Sequence, residues 1–175
     1  MGVFFRAITY STLFIGFVLV FLPAQVLAGA GIQMPGRSGG PQIAGMLVAA
    51  AGAAVAVWCI LTFALVGRGT PAPFDPPRHL VAQGPYNYVR NPMYLGAGLA
   101  LAGAALFYEA AVLWSYAIGF LLVMHVFVVL YEEPTLRRSF GDAYEDYCRQ
   151  VRRWWPIPRT AGRYSGSEPG TNTRQ

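Results

Sequence analysis

Two clusters of polar residues stand beside apolar runs and carry residue types that chemistry needs. The first is GPYNYVRNPMYLG, residues 84–96, with two glycines, two prolines, three tyrosines and an arginine directly before an apolar segment. The second contains the adjacent carboxylates Glu132 and Glu133, at the end of another apolar segment. An uncompensated charge at membrane depth costs about 2.5–3.5 kcal/mol on insertion scales, so the carboxylate pair is a candidate functional site.

The first cluster predicts an extended chain that leads into a helix. Asn91 precedes a proline and is therefore biased towards an extended backbone, while Pro92 suits the first turn of a helix. The first N–H groups of that helix have no intrahelical partner and can receive an anion. Tyr86, Tyr88 and Tyr94 can offer ring faces to a cation. Tyrosines at a membrane interface also form aromatic belts, and the sequence leaves both interpretations open.

Three further residues have side chains that are often reactive. His125 is an ionisable residue inside an apolar run, where a proton-transfer role and a neutral, hydrogen-bonded packing role both fit. Cys59 and Cys148 show neither metal-ligand spacing nor a disulfide pattern. The sequence therefore predicts no metal site and two structural cysteines.

The composition is typical of a membrane protein. Of the 175 residues, 55% are hydrophobic and 12% are charged, and the mean hydropathy is +0.41. Soluble domains carry about 25% charged residues. The positive charges are all arginines, and most stand beside apolar segments rather than in a basic patch interleaved with aromatic residues. Membrane lipids rather than nucleic acid are the expected partners, and the length fits a single domain.

Four apolar runs predict about four transmembrane helices in an all-α, polytopic membrane fold. Residues 4–27 and 43–66 are each long enough to cross a hydrocarbon core of about 30 Å. The third run covers residues 92–107 and the fourth residues 111–131, and the short gap between them predicts a helical hairpin. For the first run, a secretory signal cleaved near QVLAGA is the alternative.

The arginines predict an orientation. If four helices alternate, Arg37 falls on one side and the other twelve of the thirteen arginines fall on the other. By the positive-inside rule, residues 67–91 and the C-terminal tail face the cytoplasm of a bacterial-type plasma membrane.

The segment after residue 131 has the spacing of an amphipathic helix. Its apolar residues recur every three or four positions at Leu136, Phe140, Tyr144, Tyr147, Val151 and Trp154. Such a helix is expected to lie on the membrane surface or against the loop of residues 67–91. Residues 1–158 are predicted to form one transmembrane domain, and the polar residues 159–175 a disordered tail.

The two clusters, together with the helical hairpin between them, resemble a known family. GPYNYVRNPMYLG and LYEEPTLRRSFGDAYEDYCRQVRRWWP are similar to integral-membrane methyltransferases related to isoprenylcysteine carboxyl methyltransferase and phospholipid N-methyltransferase, over about residues 78–158. The resemblance implies S-adenosylmethionine as methyl donor, held without a Rossmann fold at the cytoplasmic side, between the hairpin and the C-terminal segment. By position, it implies cofactor contacts at His79, Leu80, Val81, Tyr86, Asn91, Pro92, Met93, Tyr94 and Glu132.

The resemblance also implies an activity. The acceptor would be lipophilic and enter from the bilayer, as an isoprenylcysteine-like carboxylate or another small lipophilic carboxylate, thiol or amine. Phospholipid N-methylation is an alternative, and a non-enzymatic membrane scaffold or transporter subunit is the rival class. An amine or thiol must lose a proton, for which Glu133 or His125 is the candidate catalytic base. Family members often have histidine at the position of Asn91, and the prenylcysteine enzymes have a carboxylate-binding arginine at that of Val128.

Overall fold

The computed structural model describes residues 16–37, 39–63, 65 and 80–156. Within these ranges the chain forms helices and no strands: α1 (Gly16–Gly29), α2 (Gly40–Thr62), α3 (Pro92–Phe107), α4 (Ala111–Phe140) and α5 (Asp142–Gln150), with a short 3₁₀ turn at Gly84–Asn87. The all-α prediction is therefore confirmed for the described residues. The predicted boundary after residue 158 and the start of the first apolar run lie outside them.

Two of the helices are long and apolar enough to cross a membrane. These are α2 and α4, with mean hydropathies of 2.3 and 2.2, whereas α1 and α3 are shorter apolar helices. The 16 residues of α3 rise about 24 Å, less than a hydrocarbon core of about 30 Å. The helices indicate a membrane protein, and the predicted count of four spans stays a prediction.

A seam of glycines joins α2 to α3. Gly45 and Gly52 of α2 face Gly103 and Gly96 of α3. A methyl group on Gly52 would lie 2.5 Å from the carbonyl oxygen of Gly96, and one on Gly45 would lie 2.6 Å from that of Gly103. These distances are too short for a side chain, so glycine alone lets the two backbones meet, as in other membrane helix pairs.

The remaining helices pack around α3 and α4, which form the predicted hairpin. At its turn Glu109 adopts a positive φ of 49°. Gln42 of α2 is buried there and donates hydrogen bonds to the Phe107 carbonyl at 3.2 Å and the Glu109 carboxylate at 2.7 Å. On the other side α1 packs against α4, where the Tyr116 hydroxyl donates to the Val18 carbonyl at 2.7 Å.

Helix α4 continues past its predicted end at residue 131. It widens into a π-helical turn at Val128–Glu132 and then returns to α-helix. Pro134 follows the wide turn and has no N–H for the carbonyl one turn earlier, so the regular helical hydrogen bonding is interrupted there. The helix ends at Gly141, whose φ of 50° and ψ of −127° suit glycine.

The C-terminal amphipathic segment is divided, which the apolar spacing did not predict. Gly141 separates the end of α4 from α5, and the chain leaves the helix at Val151, before Trp154. The apolar face is nevertheless as predicted, because Tyr144, Tyr147 and Val151 are buried in one cluster with residues of the loop before α3. Helix α5 therefore packs against that loop.

Candidate functional site

A cavity lies where the loop before α3, the π-helical turn of α4 and helix α5 meet. It has about 420 Å³ of empty volume and is lined on its apolar side by Phe63, Val128 and Leu136, among others. An adjoining cavity of about 270 Å³ shares several lining residues with the first: Phe63, Tyr86, Arg90, Asn91 and Glu132. We treat the two as neighbouring parts of one site.

Most of the residues predicted to contact a cofactor line these cavities. The larger cavity takes in Leu80, Val81, Tyr86, Asn91 and Glu132, and the smaller one adds Met93 and Tyr94. Pro92 is buried at the start of α3 but lines neither cavity, and His79 lies outside the described residues. The structure therefore brings two clusters that are distant in sequence into one site, while their cofactor roles stay predictions.

Glu132 lines both cavities and faces α3. Its Oε2 accepts a hydrogen bond from the Tyr94 hydroxyl at 3.0 Å, and Tyr94 belongs to the first turn of α3. Tyr86 lines both cavities as well. Burial raises the pKa of the Tyr86 phenol well above its ordinary value, and the charge of Glu132 adds to this effect. Tyr86 is therefore a neutral phenol that offers a ring face and a hydroxyl group.

The GPYN turn holds Tyr86 in place. Gly84 opens the turn with a φ of 59°, and a Cβ there would lie 3.0 Å from Oγ1 of Thr62. Tyr147 of α5 donates its hydroxyl to the Tyr86 carbonyl at 2.7 Å. The Tyr86 ring packs edge-on against Phe63, with centroids 5.3 Å apart. The glycine and proline of the first cluster thus serve to fix an aromatic side chain at the cavity.

Glu133 lies between two guanidinium groups. Arg153 donates from Nε to Oε1 at 2.6 Å and from Nη2 to Oε2 at 2.9 Å, and Nη1 of Arg90 is 3.3 Å from Oε1. The Glu133 side chain is only 4% exposed. Its hydrogen bonds raise the pKa of the Arg153 guanidinium. Both Glu133 oxygens are engaged, which leaves neither free to take a proton from an acceptor, and the predicted role as base stays a prediction.

Arg90 is a site residue, although the sequence pattern suggested for it only a part in the orientation of the helices. It lines both cavities, and its Nη1 donates to the Cys148 sulfur at 2.6 Å. Among the described residues, its Nε is a buried side-chain nitrogen without a hydrogen-bond partner. An unsatisfied guanidinium donor beside a cavity suits an anionic group of a ligand. The signal in the sequence was an arginine directly before the Asn-Pro step of the first cluster.

His125 lies away from the cavities. It stands on the exposed face of α4 and lines neither of them. Its Nδ1 accepts a hydrogen bond from Nε1 of Trp154 at 3.0 Å. The structure does not bring His125 together with Glu132 and Glu133, and its predicted acid–base role stays a prediction.

The chain thus combines apolar helices, two of them long enough to cross a membrane, with a cleft lined by two carboxylates, an arginine and tyrosines. The family model for phospholipid methyltransferases matches residues 41–143, more than half of the chain. The chain therefore belongs to the phospholipid methyltransferase family, which confirms the resemblance and implies a membrane methyltransferase. Comparisons with curated proteins and with solved structures find no match. The matched residues include nearly all of α2, all of α3, the π-helical turn and both carboxylates.

Proposed function

We propose that this protein is an S-adenosylmethionine-dependent methyltransferase that acts on a lipophilic acceptor. Family membership supports the reaction class. The observation that carries the proposal is the convergence of the predicted donor contacts, from the loop before α3, the start of α3 and the π-helical turn, on two adjoining cavities.

The residues that line the two cavities have the chemical groups needed to bind S-adenosylmethionine. The Glu132 carboxylate can accept hydrogen bonds from an amino group or from ribose hydroxyls. The ring faces of Tyr86 and Phe63 can stabilise a positively charged sulfonium, and Arg90 can donate to a carboxylate. When bound, S-adenosylmethionine supplies an already activated methyl group. The task of the chain is then alignment, a contribution that reaches about 7–11 kcal/mol in well-oriented intramolecular reactions.

The acceptor is proposed to reach the cavity from the bilayer. Leu61 of α2 and Leu130 of α4 are exposed apolar residues, each two positions in sequence from a residue that lines the larger cavity: Phe63, which follows α2, and Val128 of α4. Val128 is almost fully buried and contributes an apolar wall. Because valine has no charge to pair with a carboxylate, this wall favours a second, narrower candidate function, N-methylation of a phospholipid amine.

Donor binding separates the proposed enzyme from a membrane scaffold or a transporter subunit. We expect titration calorimetry of the detergent-purified protein to show binding of S-adenosylmethionine and S-adenosylhomocysteine. A protein that is folded by circular dichroism but binds neither ligand would contradict the proposed function.

The acceptor class needs a separate assay. Labelled methyl transfer can be measured with prenylcysteine, phosphatidylethanolamine, and small lipophilic thiols and amines. Product from phosphatidylethanolamine would support phospholipid N-methylation, whereas product from prenylcysteine alone would reject it and favour a carboxylate acceptor.

The cavity and the C-terminus are proposed to face the cytoplasm of a bacterial-type plasma membrane. The distribution of arginines along the sequence supports this orientation. A C-terminal fusion to alkaline phosphatase, which is active only after export, is expected to be inactive, while a fusion to green fluorescent protein fluoresces. The opposite pair of results would reverse the orientation.

A further inference from the structure

Residues 151–156 follow α5 and form neither helix nor strand, and we call them the strap. The chain turns out of α5 at Val151, with φ −124° and ψ 126°. Since the strap has no regular hydrogen bonding of its own, its contacts with the rest of the molecule decide where it lies.

Three contacts tie the strap to residues that line the larger cavity. The backbone N–H of Arg90 donates to the Arg152 carbonyl at 2.9 Å, and Nδ2 of Asn91 donates to the Arg153 carbonyl at 3.3 Å. The Arg153 side chain holds Glu133, as described above. The strap therefore fixes three wall residues that belong to two different parts of the chain.

A fourth contact joins the strap to α4 at a separate point. Nε1 of Trp154 donates to Nδ1 of His125 at 3.0 Å, and the ring centroids are 5.9 Å apart. His125 and Glu133 are eight residues apart, which corresponds to about 12 Å along a helix. Two adjacent strap residues, Arg153 and Trp154, thus contact α4 at two places. Two separate attachment points fix the direction of a segment as well as its position.

The fourth contact also satisfies two polar groups in an apolar region. His125 stands on the exposed face of α4, where Leu122, three residues before it, and Val126 are exposed apolar neighbours. Beside lipid, an imidazole acceptor or an indole N–H without a partner loses free energy. Tryptophan is common where an apolar ring and a polar N–H must both be accommodated. Each group therefore supplies the partner that the other needs.

We propose that His125 is a positioning residue: by accepting the Trp154 hydrogen bond it anchors the strap and thereby holds Arg153 against Glu133 in the cavity wall. This role differs from the catalytic base predicted from the sequence, because His125 lines neither cavity. The anchor itself rests on the observed contacts, and its effect on donor binding rests on the proposed function.

Limited proteolysis tests the anchor without donor or acceptor. Trypsin cleaves after arginine, and the strap contains Arg152 and Arg153. We expect His125→Ala and Trp154→Phe to raise cleavage at these sites about three- to tenfold, the range for loss of one hydrogen bond. Tyr116→Phe removes another hydrogen bond of α4, far along the helix, and is the matched control with unchanged strap cleavage. Wild-type cleavage rates in both anchor variants would overturn the proposal.

Rescue and non-additivity distinguish a positioning role from a catalytic one. His125→Asn keeps a hydrogen-bond acceptor but has no titrating ring, so it is expected to approach wild-type proteolysis and donor affinity. The double variant of His125→Ala and Trp154→Phe should weaken the donor Kd no more than either single change. Failure of the asparagine variant to restore either readout, or additive effects in the double variant, would contradict the anchor. If the wild-type protein binds no donor, the proposed function fails, while proteolysis still decides the anchor.

Discussion

Two regions of the molecule are stabilised in opposite ways: the seam between α2 and α3, and the wall of the cavity beside the π-helical turn of α4. Across the seam, Gly52 and Gly96 approach so closely that a methyl group would overlap the opposing backbone. At the cavity, Glu133 pairs with Arg90 and Arg153 in a largely buried cluster. The backbones pack at the seam because side chains are absent there. The cavity wall, in contrast, needs all of its charged side chains to be present. Different kinds of substitution should therefore damage the two regions.

The largest effect is expected for Glu133→Ala. It leaves Arg90 and Arg153 without their shared carboxylate, and breaking a buried ion pair on one side costs about 3–5 kcal/mol. Chemical unfolding in detergent measures this loss of stability. Glu145→Ala is the matched control, because Glu145 forms an exposed pair with Arg137 at 2.7 Å and should cost about 0–1 kcal/mol. Equal stabilities of the two variants would show that the cavity does not depend on its charges.

Glu132→Ala should separate ligand binding from folding. Its neighbour Glu133 supports the cluster of arginines, whereas Glu132 accepts one hydrogen bond from Tyr94. The Glu132 carboxylate is proposed to accept a hydrogen bond from S-adenosylmethionine. Its loss should weaken the binding free energy of S-adenosylmethionine by about 1.5–3 kcal/mol, measured by calorimetry. Unchanged donor affinity would remove Glu132 from the site.

Gly52→Ala tests the seam. A methyl group would meet the Gly96 carbonyl oxygen at 2.5 Å, and overpacking of this kind typically costs about 1–3 kcal/mol of stability. The control is Gly119→Ala on α4, where nothing lies within 4 Å of the added carbon. Alanine there should leave the unfolding midpoint unchanged or raise it, because it favours the helix by about 0.5–1 kcal/mol. If both variants behave alike, the seam is not close-packed.

Tyr94→Phe is the mildest change. It removes the hydroxyl that donates to Glu132 at 3.0 Å and keeps the ring in the smaller cavity. We expect a loss of about 0.5–1.5 kcal/mol in donor binding, the usual worth of one hydrogen bond. A larger loss than for Glu132→Ala would mean that the tyrosine itself, rather than the carboxylate, contacts the donor.

Much of the fold could be predicted because it depends on local patterns. The apolar runs predicted where the helices lie, and Pro92 predicted the start of α3. The helical hairpin followed from the short gap before α4. The cofactor residues were predicted from a family resemblance; most of them line the two cavities, and their roles stay predictions.

The rest depends on partners that are distant in sequence. Nothing in the local pattern shows that Arg153 reaches back to Glu133, or that Trp154 meets His125 on the outside of α4. The local sequence pattern alone does not distinguish Glu132 from Glu133; the different roles predicted for them came with the family resemblance. In the fold one carboxylate accepts from a tyrosine and the other is held by two arginines, a difference that only tertiary contacts create.

The wide turn at Val128–Glu132 determines how α4 responds to the gain or loss of a residue. A π-helical turn contains about one residue more than an α-helical turn, so it acts as a single-residue insertion within α4. Deleting one residue there would restore an ordinary α-helical turn and leave Glu133 facing nearly the same way, whereas a deletion in the regular α-helix before it would rotate Glu133 by about 100° relative to the apolar span. Which carboxylate faces which neighbour therefore depends on the number of residues in the regular part of α4 as well as on their identity, and one codon gained or lost there would change it.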